Sequence, residues 1–188
     1  MATYTAILDA CVLYSAALRD LLMRMAVNDV FSPKWTDQIL DEWIRNLRKN
    51  RPELPADRLE RTRQLMNLHI DDALVEGYEP LIETLALPDP DDRHVLAAAI
   101  HGRADAIVTY NTKHFPDEIM AQYDIELLSP DAFVAVQFDL NQPAMAQAIR
   151  EHRASLKSPP KTSEQYLEDL ERQGLTMTAY EIKSRAIF

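Results

Sequence analysis

The chain has 188 residues, 47% of them hydrophobic, and a formal net charge of −10; that suits one domain of ordinary size with room for an appendage, and it weighs against a non-specific nucleic-acid coat protein, which would normally be basic. No run approaches the ~20 apolar residues that span a bilayer. The M-A-T-Y-T start lacks a basic region and a cleavage site and predicts no signal peptide, and the single cysteine, Cys11, predicts no internal disulfide and a reduced, cytoplasmic setting.

Residues 5–8, T-A-I-L, are apolar almost throughout and predict a central strand of a parallel sheet, ending in Asp9. Leu18, Leu21, Leu22 and Met25 recur at three- and four-residue spacing and predict a helix over 13–27. V-F-S-P then reads as a short strand running into a helix that Ser32 caps and Pro33 opens. That helix continues to about Asn50, with Trp35, Ile39, Trp43 and Leu47 stepping by four and Leu40 and Ile44 alongside. P-E-L-P (52–55) breaks it, and a further helix runs from about Ala56 to His69. Residues 78–87 are ambiguous, with a short strand around Leu81 the best reading. A helix follows Pro90 as far as Gly102. A-D-A-I-V-T is a strand ending at Thr109, residues 115–123 a short helix, I-E-L-L (125–128) a strand, and S-P-D-A-F-V-A-V a helix.

Strands alternating with helices predict an α/β fold, a parallel sheet with helices on both faces. With three glycines and no G-x-G-x-x-G or G-x-x-x-x-G-K-[ST], dinucleotide and P-loop chemistry have no support. Beyond residue 139 no strand is predicted. Helices over 142–156 and 163–173 flank S-P-P (158–160), Gly174 is placed to end the second, and a last helical turn lies near Tyr180. The expected organisation is a main domain over 1–138 and an all-helical extension over 139–188. The extension either packs against the sheet domain or serves as an arm that contacts a partner or substrate.

The chemistry gathers around L-P-D-P-D-D-R-H-V-L-A-A-A (87–99). Asp89 reads as a helix cap, and Asp91 partly as a first-turn acid. Asp92 shares a face with Val95, Leu96 and Ala99, so its carboxylate points to the core side and needs a partner, yet no Lys or Arg occupies that stripe. Asp9, directly after a central strand, is equally hard to explain by solvation; its structural alternatives are a cap or an arginine's buried partner. Asn111 follows another strand end, and in parallel sheets ligands bind beyond those ends. Glu42 lies at the edge of its helix's apolar stripe, with Asp41 toward the polar side. Converging carboxylates need protons or a cation, and an all-oxygen set suits Mg²⁺ or Mn²⁺. His69, His94, His101, His114 and His152 are scattered, and each reads as a surface residue or one satisfied by local bonds. R-N-L-R-K-N-R (45–51) with Arg58, Arg61 and Arg63 is a basic arm, either a phosphate handle or a solvated helix end.

Four segments, I-L-D-A-C-V-L, S-P-K-W-T-D-Q-I-L-D-E-W, L-P-D-P-D-D-R-H-V-L-A-A-A and I-V-T-Y-N-T-K-H-F-P, in this order resemble the PIN-domain family, specifically the VapC-like ribonuclease toxins of prokaryotic toxin–antitoxin pairs, over about residues 5–138. The resemblance implies a three-layer α/β/α sandwich. It implies Asp9, Glu42 and Asp92 as metal-binding acids, Asp91 as an auxiliary ligand, Thr109 as a hydrogen-bonding support, and Asn111 where the family often has a fourth acid. It further implies Mg²⁺- or Mn²⁺-dependent RNA hydrolysis by a metal-activated water, dimerisation, and inhibition by a cognate antitoxin protein. A haloacid-dehalogenase-type phosphatase would need a second Asp where Cys11 stands. The remaining alternatives are a catalytically silent PIN-like interaction protein and a PIN nuclease of RNA processing.

Overall fold

Ala6, Ile7 and Leu8 of strand β1 (Thr5–Leu8) have no exposed surface, as a strand with neighbours on both edges and helices above and below requires. In the computed structural model, which describes residues 4–188, β1 pairs in parallel with β2 (Ser32–Lys34) on one side and β3 (Ala106–Val108) on the other. β3 pairs in parallel with β4 (Glu126–Leu128), giving the order β2–β1–β3–β4. Met1–Thr3, part of the stretch read for a leader, lie outside the described residues.

From β1 the chain forms α1 (Ala10–Leu13) and α2 (Ala16–Val27), returns as β2, and continues through α3 (Asp37–Asn50) and α4 (Ala56–His69). It then extends the sheet by one parallel bridge, Trp35 to Leu74, held by Trp35 N–H to Ala73 O at 2.9 Å and Val75 N–H to Trp35 O at 2.8 Å. By the right-handed rule for parallel crossovers, α1–α4 belong on one face, and the return to β3 through α5 (Glu79–Ile82) and α6 (Arg93–His101) on the other. α6 packs on β1 and β3. α7 (Asp117–Met120), β4, α8 (Pro130–Leu140), α9 (Gln142–Ser155), α10 (Ser163–Arg172) and α11 (Thr176–Ser184) complete the chain. Among the described residues no helix is long and apolar enough to cross a membrane.

The α/β class, parallel sheet and helical C-terminal region stand as expected, but some boundaries differ for physical reasons. Ser32 and Pro33 do not open a helix. They form β2, where Pro33 sits opposite Ala6, and Thr36 caps α3 by accepting the Ile39 N–H at 3.1 Å. Sheet pairing outweighs the local capping signal, and a proline is tolerated in a strand this near an edge. The strand expected around Leu81 is the single helical turn α5, opened by Glu79-Pro80. The helix expected over 13–27 is two, because Ser15 caps α2 at Leu18 N–H, and the helix expected over 115–123 shrinks to Asp117–Met120.

The C-terminal helices are packed on the rest. α9 lies along α2 and α11 on α8, with Asn28 Nδ2 donating to Glu151 Oε2 at 2.9 Å. Gly174, at φ +81°, ends α10 as its position predicts: the Leu175 N–H reaches back to Leu170 O at 2.9 Å, and only a residue free to adopt a left-handed backbone allows that reversal cheaply.

Candidate metal centre

The chain leaves β1 toward β2 and later returns to β3, so the strand order reverses between β1 and β3. A crevice opens there beyond the carboxyl ends. Asp9 and Thr109 are the residues that directly follow these two strands. Asp9 is 3% exposed. Its Oδ1 accepts the Ala10 N–H at 2.6 Å as the cap of α1, and its Oδ2 accepts the Thr109 hydroxyl at 2.6 Å and the Cys11 thiol at 3.2 Å. Capping thus uses one oxygen and leaves the other on the strand-end side. Thr109 Oγ1 in turn accepts the Asn111 N–H at 2.9 Å. Burial, and then the charge of Asp9, push the Cys11 thiol up to about 12, so it stays a proton donor at neutral pH.

α3 buries Ile39, Leu40, Trp43 and Leu47, which leaves Glu42 at the edge of the buried stripe. His94 of α6, 3% exposed, brings Nε2 to 3.5 Å from Glu42 Oε2. This contact, opposed by partial burial, holds the Glu42 carboxyl below its ordinary range. Asp41 is engaged by Arg63 at 2.5 Å.

Asp89 caps the 3₁₀ turn Pro90–Asp92 by accepting the Asp91 N–H at 3.0 Å. Asp92, its side chain 16% exposed, lies beside His114, whose Nδ1 is 2.5 Å from Asp92 Oδ2 and 3.8 Å from Asp89 Oδ2. Burial raises the Asp92 carboxyl above its ordinary value; the His114 hydrogen bond opposes this and the charge of Asp9 adds to it. Ligand atoms of Asp89, Asp92 and His114 all lie within 4.8 Å of one another. Glu42, Asp91, Asp92, His94, Asn111 and His114 line one cleft of about 620 Å³. Asp9 is not in that lining; it sits near enough to Asp92 for its charge to be felt.

Four expected residues, Glu42, Asp91, Asp92 and Asn111, therefore share a cleft, and Asp9 with Thr109 adjoins it from the strand ends. Two more belong there that the sequence alone did not single out. His94 and His114 are not incidental histidines: each bears on one of the site's carboxylates. The available signal for His114 was its place in the same post-strand turn as Asn111, and for His94 its two-residue distance from Asp92 along a buried helix.

Among the described residues no lysine or arginine forms a close ion pair with Asp9, Glu42 or Asp92; histidines approach Glu42 and Asp92, and Arg45, in the same cleft, adds its charge to the lowering of Glu42. Carboxylates gathered at one cleft require protons or a cation; among the described residues the ligand atoms that come within 4.8 Å of one another are those of Asp89, Asp92 and His114, with Glu42 and Asp9 outside that group, and oxygen-rich donors with an imidazole fit a hard divalent ion. The basic arm divides. Arg63 is held by Asp37 and Asp41 and Arg51 by Glu53, whereas Arg45, Arg48 and Lys49 line a neighbouring cleft of about 870 Å³. The two clefts share Asp41 and Arg45.

Comparison with known proteins agrees with this geometry. The family model described as PIN domain matches residues 5–113, and one described as VapC50 C-terminal domain matches residues 130–184. A Mycobacterium tuberculosis (strain H37Rv) protein, "Putative ribonuclease VapC50", is 38% identical over 116 residues, 62% of this chain and 66% of that protein. The match thus spans slightly less than two thirds of that relative's length. No solved structure gives a significant match.

Proposed function

Since the chain belongs to the PIN-domain family, we propose that it is a divalent-metal-dependent endoribonuclease, the toxin member of a toxin–antitoxin pair, acting in the cytoplasm. The observation that carries the reading is the meeting of Glu42 and Asp92 in one cleft, with Asp9 beside Asp92, at the β1/β3 crevice and without a close lysine or arginine ion pair. The relative named as a ribonuclease supports the substrate class.

In this reading Asp9, Glu42 and Asp92 hold the ion, Mg²⁺ or Mn²⁺, with Asp91 as auxiliary. A divalent ion so held supplies a water of lowered pKa and charge to offset the phosphate. Thr109 fixes the Asp9 carboxylate through its O–H. His94 keeps Glu42 ionised, and Asn111, exposed at the rim, offers an amide to the substrate or to water. Arg45, Arg48 and Lys49 would carry the RNA backbone from the second cleft into the first, giving salt-dependent affinity without sequence reading. Residues 1–138 form the nuclease unit and 139–188 an extension that shapes partner choice. Homodimerisation and an antitoxin lodged near the acidic cleft follow the family.

The test is cleavage of a mixed RNA pool by full-length, antitoxin-free protein with Mg²⁺, Mn²⁺ or EDTA, beside Asp9→Asn, which retains shape and cap. We expect metal-dependent cutting that falls at least ~100-fold in the variant. Cutting that persists in Asp9→Asn overturns the site assignment. Folded wild-type protein that cuts no RNA with either metal favours the silent interaction protein. Growth arrest on expression, relieved by a small co-expressed neighbour gene, separates a toxin from a processing nuclease.

A further inference from the structure

The turn that leaves β3, Tyr110 to Phe115, contains no carboxylate. What it brings to the cleft is an exposed amide, Asn111, and the imidazole of His114. His114 presents Nδ1 to Asp92 at 2.5 Å and to Asp89 at 3.8 Å, with its side chain 40% exposed. His94 is placed differently: it is buried and faces Glu42 alone at 3.5 Å. One histidine backs a carboxylate from inside the fold, while the other stands in the open with two carboxylates around one of its nitrogens.

We infer that His114 is itself a ligand of the metal and that its nitrogen makes the centre select Mn²⁺ over Mg²⁺. The inference rests on the metal-centre reading above and is indifferent to which RNA is cut. Mg²⁺ takes oxygen donors and gives up water reluctantly, so an imidazole adds little to its binding. First-row transition ions accept imidazole readily, with affinity rising from Mn²⁺ along the series. The carboxylates of Asp9, Glu42 and Asp92 keep the set predominantly oxygen, which favours the hardest member of that series, Mn²⁺. Asp92 Oδ2, 2.5 Å from His114 Nδ1, holds the ring at the cleft.

The experiment uses full-length protein stripped of metal. Mn²⁺ binding is followed by the electron paramagnetic resonance of free Mn²⁺, with Mg²⁺ as competitor, and pulsed resonance of the bound ion reads nitrogen coupling. Wild type should bind Mn²⁺ at least ~10-fold more tightly than Mg²⁺ and show a coupled ¹⁴N. His114→Asp should lose the nitrogen signal, bind Mg²⁺ more tightly than wild type and bring the two ions toward parity. His114→Gln should lose the signal without the gain in Mg²⁺, and His94→Asn should keep it. A wild-type spectrum without nitrogen coupling, a coupling that survives His114→Asp, or an unchanged ion preference each overturn the inference. RNA cutting by a protein without nitrogen coupling would sink this inference and leave the nuclease; nitrogen-bound Mn²⁺ in a protein that cuts nothing would do the reverse.

Discussion

Thr109 is fully buried at the end of β3, where its hydroxyl donates to Asp9 Oδ2 at 2.6 Å while accepting the Asn111 N–H. Valine would fill the same space without the hydroxyl. Asp9 Oδ2 would then keep only the Cys11 thiol, a weak donor, and the carboxylate could turn away from the ion. Thr109→Val is therefore expected to weaken metal binding and RNA cleavage by roughly 10–100-fold in a protein that still folds, and Thr109→Ser to restore both. A valine variant with wild-type metal affinity would show that the hydroxyl serves the fold alone. Asp92 makes the complementary point. Its carboxyl is pushed up by burial and by the charge of Asp9, against the hydrogen bond of His114, which marks it as a group in want of a positive partner.

At the scale of elements, α9 and α10 are joined through a buried polar contact: His152 Nδ1 lies 2.7 Å from the Tyr166 hydroxyl. Burial lowers the His152 pKa. Asp20 of α2, at 3.7 Å, opposes this, as does a backbone bond at Ala17, while Arg24 adds to it. The unfolded chain therefore takes up a proton as pH falls through ~6.5 and the folded chain only at lower pH. Stability contributed by neutral His152 is full above pH ~6.5 and drains below it, at no more than ~1.4 kcal/mol per pH unit. Thermal melts between pH 7.5 and 5.5 should show that slope, and His152→Asn should flatten it whatever it does to the absolute melting temperature. The same scale explains what was legible in the sequence. β1 and β3 were plain because their residues are apolar throughout, and α3 because its buried residues repeat at helical spacing. The start of α3 was not, since Ser32 and Thr36 are both competent caps and pairing with β1 decides between them. Asp9 and Asp92 stood out as charges on apolar ground, but Glu42 emerged over Asp41 only through family resemblance, because the residue that occupies Asp41, Arg63, comes from another helix. His94 and His114 were missed for the same reason: His114 meets a carboxylate 22 positions away, and Glu42 lies on a different element from His94.

Across the whole molecule, the C-terminal helices are covers rather than a tether. α11 begins without a cap of its own, which leaves N–H groups at its first turn in want of acceptors. Asp131 of α8 supplies them from outside, accepting Met177 N–H at 2.8 Å, Thr178 N–H at 2.9 Å and the Thr178 hydroxyl at 2.8 Å. The carboxylate also sits where the helix dipole favours negative charge. Deeper in, Phe133 of the same helix meets Phe31 edge-on at 4.8 Å, so α8 is fastened to the start of β2 at one side and to α11 at the other. Asp131→Ala should free α11 at a cost of about 1.5–3 kcal/mol, or roughly 3–10 °C in melting temperature for a chain of this size. Hydrogen exchange should quicken in α11 while β1 and β3 stay protected, and Mn²⁺ binding should be unchanged because Asp131 does not line the acidic cleft. Removing everything after Leu140 is the harsher test, because it strips α9 from α2 and exposes apolar surface that otherwise never meets water. That truncated chain should be insoluble or melt at least ~10 °C lower. If it instead folds with the stability, RNA cleavage and antitoxin binding measured for the full chain, the extension contributes neither stability nor partner choice, and the proposed nuclease unit ends at α8.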